Sequence, residues 1–100
     1  MEAFFAADAG LECALYWDIQ RRGDDKFRGS DSTISCLGSS IPVDVTGNRA
    51  TFDIRDTTLD VCASVEVRIN GLETEVFSRG FNTCATSDPG RIERGLRAEY

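Results

Sequence analysis

Histidine is absent from the 100 residues. That removes the commonest general base and metal ligand, and with them every Ser-His-Asp or Cys-His arrangement. Lysine is almost absent: Lys26 stands alone beside ten arginines. Arginine suits fixed, planar, bidentate contacts better than lysine does. Positive charge is in deficit overall, with 17 acids against 11 bases and a net charge of −6, so binding to a phosphate backbone gains no general electrostatic help. No apolar run approaches the ~20 residues of a membrane-spanning helix. Cysteine pairs of CxxC type are also missing, which excludes the usual zinc knuckles and thioredoxin-like motifs.

What is present is one domain's worth of chain, with one core. Its four cysteines, Cys13, Cys36, Cys62 and Cys84, lie 23, 26 and 22 residues apart. An even number of scattered cysteines in so small a domain reads as two disulfides and an oxidising compartment; buried free thiols in a cytosolic protein are the alternative. Met1-Glu2-Ala3 has neither a basic segment nor an apolar one, so no export signal is visible.

The segment AFFAADAGLECALYWDIQ predicts a helix over residues 3–21. Leu11, Leu15 and Ile19 recur every four residues, with Phe4, Ala7 and Ala14 flanking the same face. Arg21 and Arg22 complement the helix dipole, and Gly23 is a stop. Residues 23–48 are rich in Gly, Ser and Asp and read as a long connecting loop with one or two short strands. From residue 50 the apolar period becomes two. Phe52 and Ile54 share a face, as do Val61, Ala63, Val65, Val67 and Ile69. Asn70-Gly71 is a hairpin turn. Phe77 and Phe81 fall out of phase with Val76, which predicts a bulge near Gly80. The last strand places Ile92, Leu96, Ala98 and Tyr100 together. The expected fold is therefore α+β: the helix packed on an antiparallel meander of about four strands over 50–100. Leu11, Leu15 and Ile19 should lie against Phe52, Ile54, Val65, Val67, Leu96 and Ala98.

At the helix, Ala3, Ala6, Ala7, Asp8, Ala9, Gly10, Leu11, Glu12, Ala14 and Leu15 match an A-x-x-A-A-[DE]-A-G-[LI]-E-x-A-L pattern. At the other end stand SRGFNTC (Ser78 to Cys84) and RIERGLRAEY. Together these resemble the head domain of type IV pilin-like proteins, in particular PilX-type minor pilins and pseudopilins. The resemblance covers both ends of the chain and hardly touches residues 23–48. It implies a structural subunit of a type IV pilus or a related secretion machine. Such a subunit is extracytoplasmic and anchored in the inner membrane before assembly. Its partners would be other pilins and the assembly machinery, with no cofactor and no enzymatic activity. Phe4, Leu11, Leu15 and Ile19 would serve packing on the sheet or between subunits. The isolated domain is expected to be a monomer.

The pairing expected on this reading is Cys13–Cys36 and Cys62–Cys84. The second pair is in tension with a strict Asn70-Gly71 hairpin, which sets Cys62 opposite Arg79. The helix opens without a capping Ser, Thr or Asn. The natural gene is therefore expected to continue upstream of Ala3 with about 20–25 apolar residues behind a short basic leader, Met1-Glu2 being an added start.

Other readings are weaker. Arg22-Gly23-Asp24 spells an adhesion tripeptide, which a helix end and turn also explain. Asp24, Asp25 and Asp31, with Ser30 and Ser32, could offer oxygens to Ca²⁺, though not at EF-hand spacing. The corresponding alternative function is a secreted adhesin-like binding module, supported by Ca²⁺ and using loop 23–48. Arg91, Arg94 and Arg97 invite nucleic acid, but Glu93 and Glu99 neutralise them and no aromatics interleave. Tyr16 and Trp17 are expected to cover the sheet or the core's rim.

Overall fold

A computed structural model describes residues 3–56 and 60–100, with Arg22 described in its backbone only. The proposed start at Met1-Glu2 and the arginine side chain of the adhesion tripeptide lie outside the described residues. The chain opens with helix α1 (Ala3–Leu15), continues through one π-helical stretch (Tyr16–Gln20) and ends the helical region in a 3₁₀ turn (Arg22–Asp24). Six strands follow: β1 (Ser32–Cys36), β2 (Ser39–Thr46), β3 (Arg49–Asp56), β4 (Val61–Asn70), β5 (Glu73–Phe81) and β6 (Glu93–Glu99). They form one sheet in sequence order, each strand antiparallel to the next. The expected sheet of about four strands is thus overturned, because the segment expected as a long loop with one or two short strands adds two strands to the sheet. Residues 23–48 carry β1 and β2, whose short Ser-rich alternation buries Ile34, Cys36, Ile41 and Val43.

Strand β2 divides its partners. Its residues Ser39–Val43 pair with β1, and Asp44–Thr46 pair with β3. Pro42 explains the division. In the register set by Asp44↔Thr51, residue 42 would bond Asp53 across β2–β3, and proline has no N–H to give. At the β1–β2 tip, Leu37 and Gly38 both have positive φ, 53° and 77°, the twist-matched geometry of a two-residue hairpin.

Strand β5 runs without a bulge. Thr74, Val76, Ser78 and Gly80 face the helix and are buried, while Phe77 and Phe81 point to the opposite face. The turn is Gly71-Leu72, one residue later than expected, with Asn70 opposite Glu73. That slides the register by two, which keeps every side chain on its face and sets Cys62 opposite Phe81. Cys84 then reaches Cys62, with 5.3 Å between their Cα atoms; Cys13 pairs with Cys36 at 6.1 Å. Both disulfides are formed, as the oxidised reading requires, and they point to an oxidising, extracytoplasmic environment. Among the described residues no helix is long and apolar enough to cross a membrane.

The helix lies on the sheet by its small residues, not by its leucines. Ala3, Ala6, Ala7, Gly10 and Ala14 are its buried apolar positions. A Cβ built on Gly10 would stand 2.4 Å from Ser78 Oγ and 2.8 Å from Val65 Cγ2; one on Gly80 would stand 2.1 Å from the Ala7 nitrogen and 2.3 Å from the Ala3 oxygen. Helix and sheet backbones therefore nearly touch along Gly10, Gly80 and Ser78. The Ser78 hydroxyl, fully buried, donates to the Ala7 carbonyl at 2.8 Å. The expected stripe of Phe4, Leu11, Leu15 and Ile19 is displaced by roughly a third of a turn at about 3.6 residues per turn. Leu11 and Leu15 are half-buried against the edge of the core, whereas Phe4 and Ile19 are 53% and 50% exposed. Large side chains could not fill a gap that the backbones close. The bulk of the core comes instead from Phe27, stacked on Phe52 at 5.9 Å, and from Ile34, Val43, Val61, Val65, Val67 and Val76. Ile92 also departs from expectation: it precedes β6 and is half exposed, away from Leu96, Ala98 and Tyr100.

Gly80→Ala should accordingly destabilise the domain by about 3 kcal/mol or more, since backbone on both sides must shift. Gly23→Ala, with nothing within 4 Å of its added Cβ, should change stability by less than about 0.5 kcal/mol. Urea unfolding with the disulfides intact compares the two, and equal effects would mean that the helix stands off the sheet.

Candidate interaction surface

Docking the helix by its small face sends its large apolar residues outward. Phe5, Ala9 and Tyr16 lie along the back of α1 and its π-helical extension, and Leu37 stands across from them at the β1–β2 tip. Between these walls runs a groove of 360 Å³, lined by Phe5, Ala9, Tyr16 and Leu37 with the Cys13–Cys36 disulfide. Phe5, Tyr16 and Leu37 are each about half exposed, at 53%, 47% and 48%. Leu37 is held there at φ 53°, a conformation that bulky residues rarely adopt. The disulfide ties one wall to the other. Trp17 adds a second tie, its indole N–H donating to the Ser35 carbonyl at 3.0 Å. Tyr16 meets Trp17 edge to face at 5.4 Å; Trp17 packs against the core, and Tyr16 is half exposed. Asp8 and Glu12, one helical turn apart, border the groove.

The end of the helical region is anchored by a group that periodicity did not single out. Asp18 is 1% exposed. One carboxylate oxygen accepts from Arg28 Nη1 at 2.8 Å, and the other accepts from the Tyr100 hydroxyl. Arg28 also reaches Asp25 at 3.3 Å. Partial burial works against the guanidinium's charge, but hydrogen bonds and attraction to Asp18 and then Asp25 outweigh it and raise its pKa above the ordinary arginine value. The cluster joins three segments distant in sequence: the helix end, the turn before β1 and the end of β6. An aspartate four residues beyond Ala14, in line with the small face, is the only sequence signal for it.

The loop acids proposed for Ca²⁺ are engaged elsewhere. Asp24 accepts from Arg21 Nε at 3.0 Å, Asp25 faces Arg28, and Asp31 accepts from the Val45 amide at 2.8 Å. Among the described residues no group of three or more His, Cys, Asp and Glu is placed to hold a metal ion. Asp24, the acid of the adhesion tripeptide, is thus turned toward its own helix.

The far face of the sheet carries the arginines. Arg97 pairs with Glu75 and Glu99 at 2.8 and 2.7 Å, Arg49 and Arg68 converge on Glu66, and Arg79 faces Glu93 at 3.5 Å. Arg68 and Arg97 flank the Phe77 ring, and Arg91 lies 3.8 Å from the centre of Phe81. A hollow of 670 Å³ opens here over Ser64 and Gly95, bordered by the paired Glu66, Arg68, Arg79 and Arg97. Arg94 points to the helix side of the sheet; among the described residues no carboxylate meets it, and it donates to the Glu93 carbonyl at 3.2 Å. Of the three arginines near the C-terminus, Arg97 is paired with carboxylates, Arg91 stacks on Phe81 and Arg94 bonds a backbone carbonyl.

Arg28→Met should cost about 2–3 kcal/mol, less than a fully buried pair because Arg28 is a third exposed. Tyr100→Phe should cost about 1–2 kcal/mol and speed amide exchange at Thr74 and Tyr100, which bond each other's carbonyls. Exchange unchanged at those two amides would remove the anchor's role in holding β6. Comparison with known protein families, with curated proteins and with solved structures finds no match to this chain.

Proposed function

We propose that this domain is a structural subunit, a minor pilin or pseudopilin, of a type IV pilus or a related secretion machine. It works by assembly and surface interaction and carries out no catalysis. The observation that supports this most is the division of labour along α1 and its π-helical extension. One side is consumed by Gly10 and four alanines against the sheet. The other presents Phe4, Phe5, Tyr16 and Ile19, each about half exposed. A monomer gains nothing from four large apolar residues on one helix, whereas a subunit packed among its neighbours buries them. The two disulfides and the ends of the chain that resemble pilin-like proteins agree with a cell-surface appendage. The membrane anchor of such a subunit would be an apolar segment preceding Ala3.

The adhesin-like alternative draws less support. Its contact surface was to be residues 23–48, half of which lie in β1 and β2, and its acids already bond arginine side chains or backbone amides.

The test uses the natural gene product in its host. Ile19→Asp, at an exposed position, should leave the isolated domain's melting temperature unchanged while lowering its share of the sheared filament fraction by about tenfold, the effect of roughly 1.4 kcal/mol lost from a contact. Wild-type protein found only free in the medium, never with filaments or the envelope, would overturn the reading.

A further inference from the structure

The groove beside α1 has a counterpart on the same chain. Ile92 is 48% exposed just before β6. Asn82 holds it out: its side-chain oxygen accepts from the Ile92 amide at 2.6 Å, its backbone N–H donates to the Ile92 carbonyl at 3.0 Å, and its side-chain nitrogen donates to the Gly90 carbonyl at 3.0 Å. Arg91 and Arg94 flank this isoleucine. Arg94 meets no carboxylate among the described residues, and Arg91 lies on the Phe81 ring with its Nε buried and unbonded. Glu93, the intervening acid, is turned to Arg79. The knob is thus apolar at its tip and positive at its sides.

The groove is the reverse. Its walls are Phe5, Tyr16 and Leu37, and its border carries Asp8 and Glu12, which among the described residues meet no cation. From this complementarity we propose that Ile92 of one copy seats in the groove of a second copy, with Arg94 and Arg91 against Glu12 and Asp8. The two patches are different surfaces of one chain, so the contact is head to tail, which propagates as a row or closes as a ring according to its rotation. For its use in the cell the proposal rests on the assembly reading, because a contact this small is weak, with a Kd on the order of 1 mM. Copies already held side by side by other contacts would reach that effective concentration. At micromolar concentration the free domain stays a monomer.

The contact is tested on the domain alone, apart from any filament. Amide NMR spectra of the wild type are recorded from about 0.05 to about 2 mM, bracketing that Kd. Shifts should grow with concentration at Phe5, Ala9, Leu37 and Ile92 and weaken in high salt. Glu12→Arg and Arg94→Glu, both at exposed positions, should each abolish the shifts while leaving the spectrum's dispersion intact. Mixing the two variants, with isotope on the Glu12→Arg chain, should restore them at its groove residues. No concentration-dependent shift in the wild type, shifts confined to other residues, or a mixture as silent as each variant alone would overturn the proposal. None of these outcomes would touch filament incorporation, which the Ile19→Asp experiment reads separately.

Discussion

The near-contact of two backbones, helix α1 at Ala3–Gly10 and strand β5 at Ser78–Gly80, governs the rest of this structure. Dispersion attraction falls away steeply with distance, so a helix seated this close gains from many backbone and methyl contacts although its buried side chains are small. The arrangement demands residues without bulk on both sides, and Gly10 and Gly80 are where a single added carbon would collide with its neighbours. Across this contact the buried Ser78 hydroxyl donates to the Ala7 carbonyl. Seated so low, the helix leaves the deeper core to the sheet and to Phe27, and its own large residues must go elsewhere.

Much of this was legible in the sequence, and the misreadings share a cause. Period-two alternation in residues 50–56 and 61–69 identified β3 and β4 and their inward faces, because each is half-buried and regular. The helix was legible from its composition, but its orientation was not. A search for the largest apolar stripe selects Leu11, Leu15 and Ile19, and a helix docked through alanine and glycine presents its weakest hydrophobic side to the core. The same preference for size turned Gly80 into an expected bulge, when its lack of a side chain is what admits the helix. Residues 23–48 read as a long loop with only one or two short strands, because in β1 and β2 the exposed Thr33, Ser35, Ser40 and Pro42 alternate with Ile34, Cys36, Ile41 and Val43 and dilute the apolar signal. The Gly71-Leu72 turn was missed because Asn70-Gly71 is the commoner pair, and the two-residue slide it causes leaves the alternation pattern unchanged. Asp18 could not be paired from sequence, since Arg28 and Tyr100 reach it only once the sheet is assembled.

The exposed apolar residues follow from this packing as a consequence, and they join the fold to the proposed function. The disulfide Cys13–Cys36 and the Trp17–Ser35 bond set the β1–β2 tip at a fixed distance from the helix back, so the groove is built into the fold. The Asp18 cluster does the same for the end of β6, holding the last strand against the helical region. Two exposed patches result, the groove beside α1 and Ile92 before β6. Assembly through such surfaces requires little ordering on contact, which is the main cost that weak interfaces must offset.

The central claim, that small residues face the sheet and large ones face outward, is read most directly by methyl and aromatic NMR with a soluble paramagnetic probe. The account predicts nuclear Overhauser contacts from the Ala6, Ala7 and Ala14 methyls to Val65, Val76 and Ala63 with little broadening, and strong broadening of Phe4 and Ile19. Protected Ile19 methyls in contact with Val67, beside broadened alanine methyls, would contradict it.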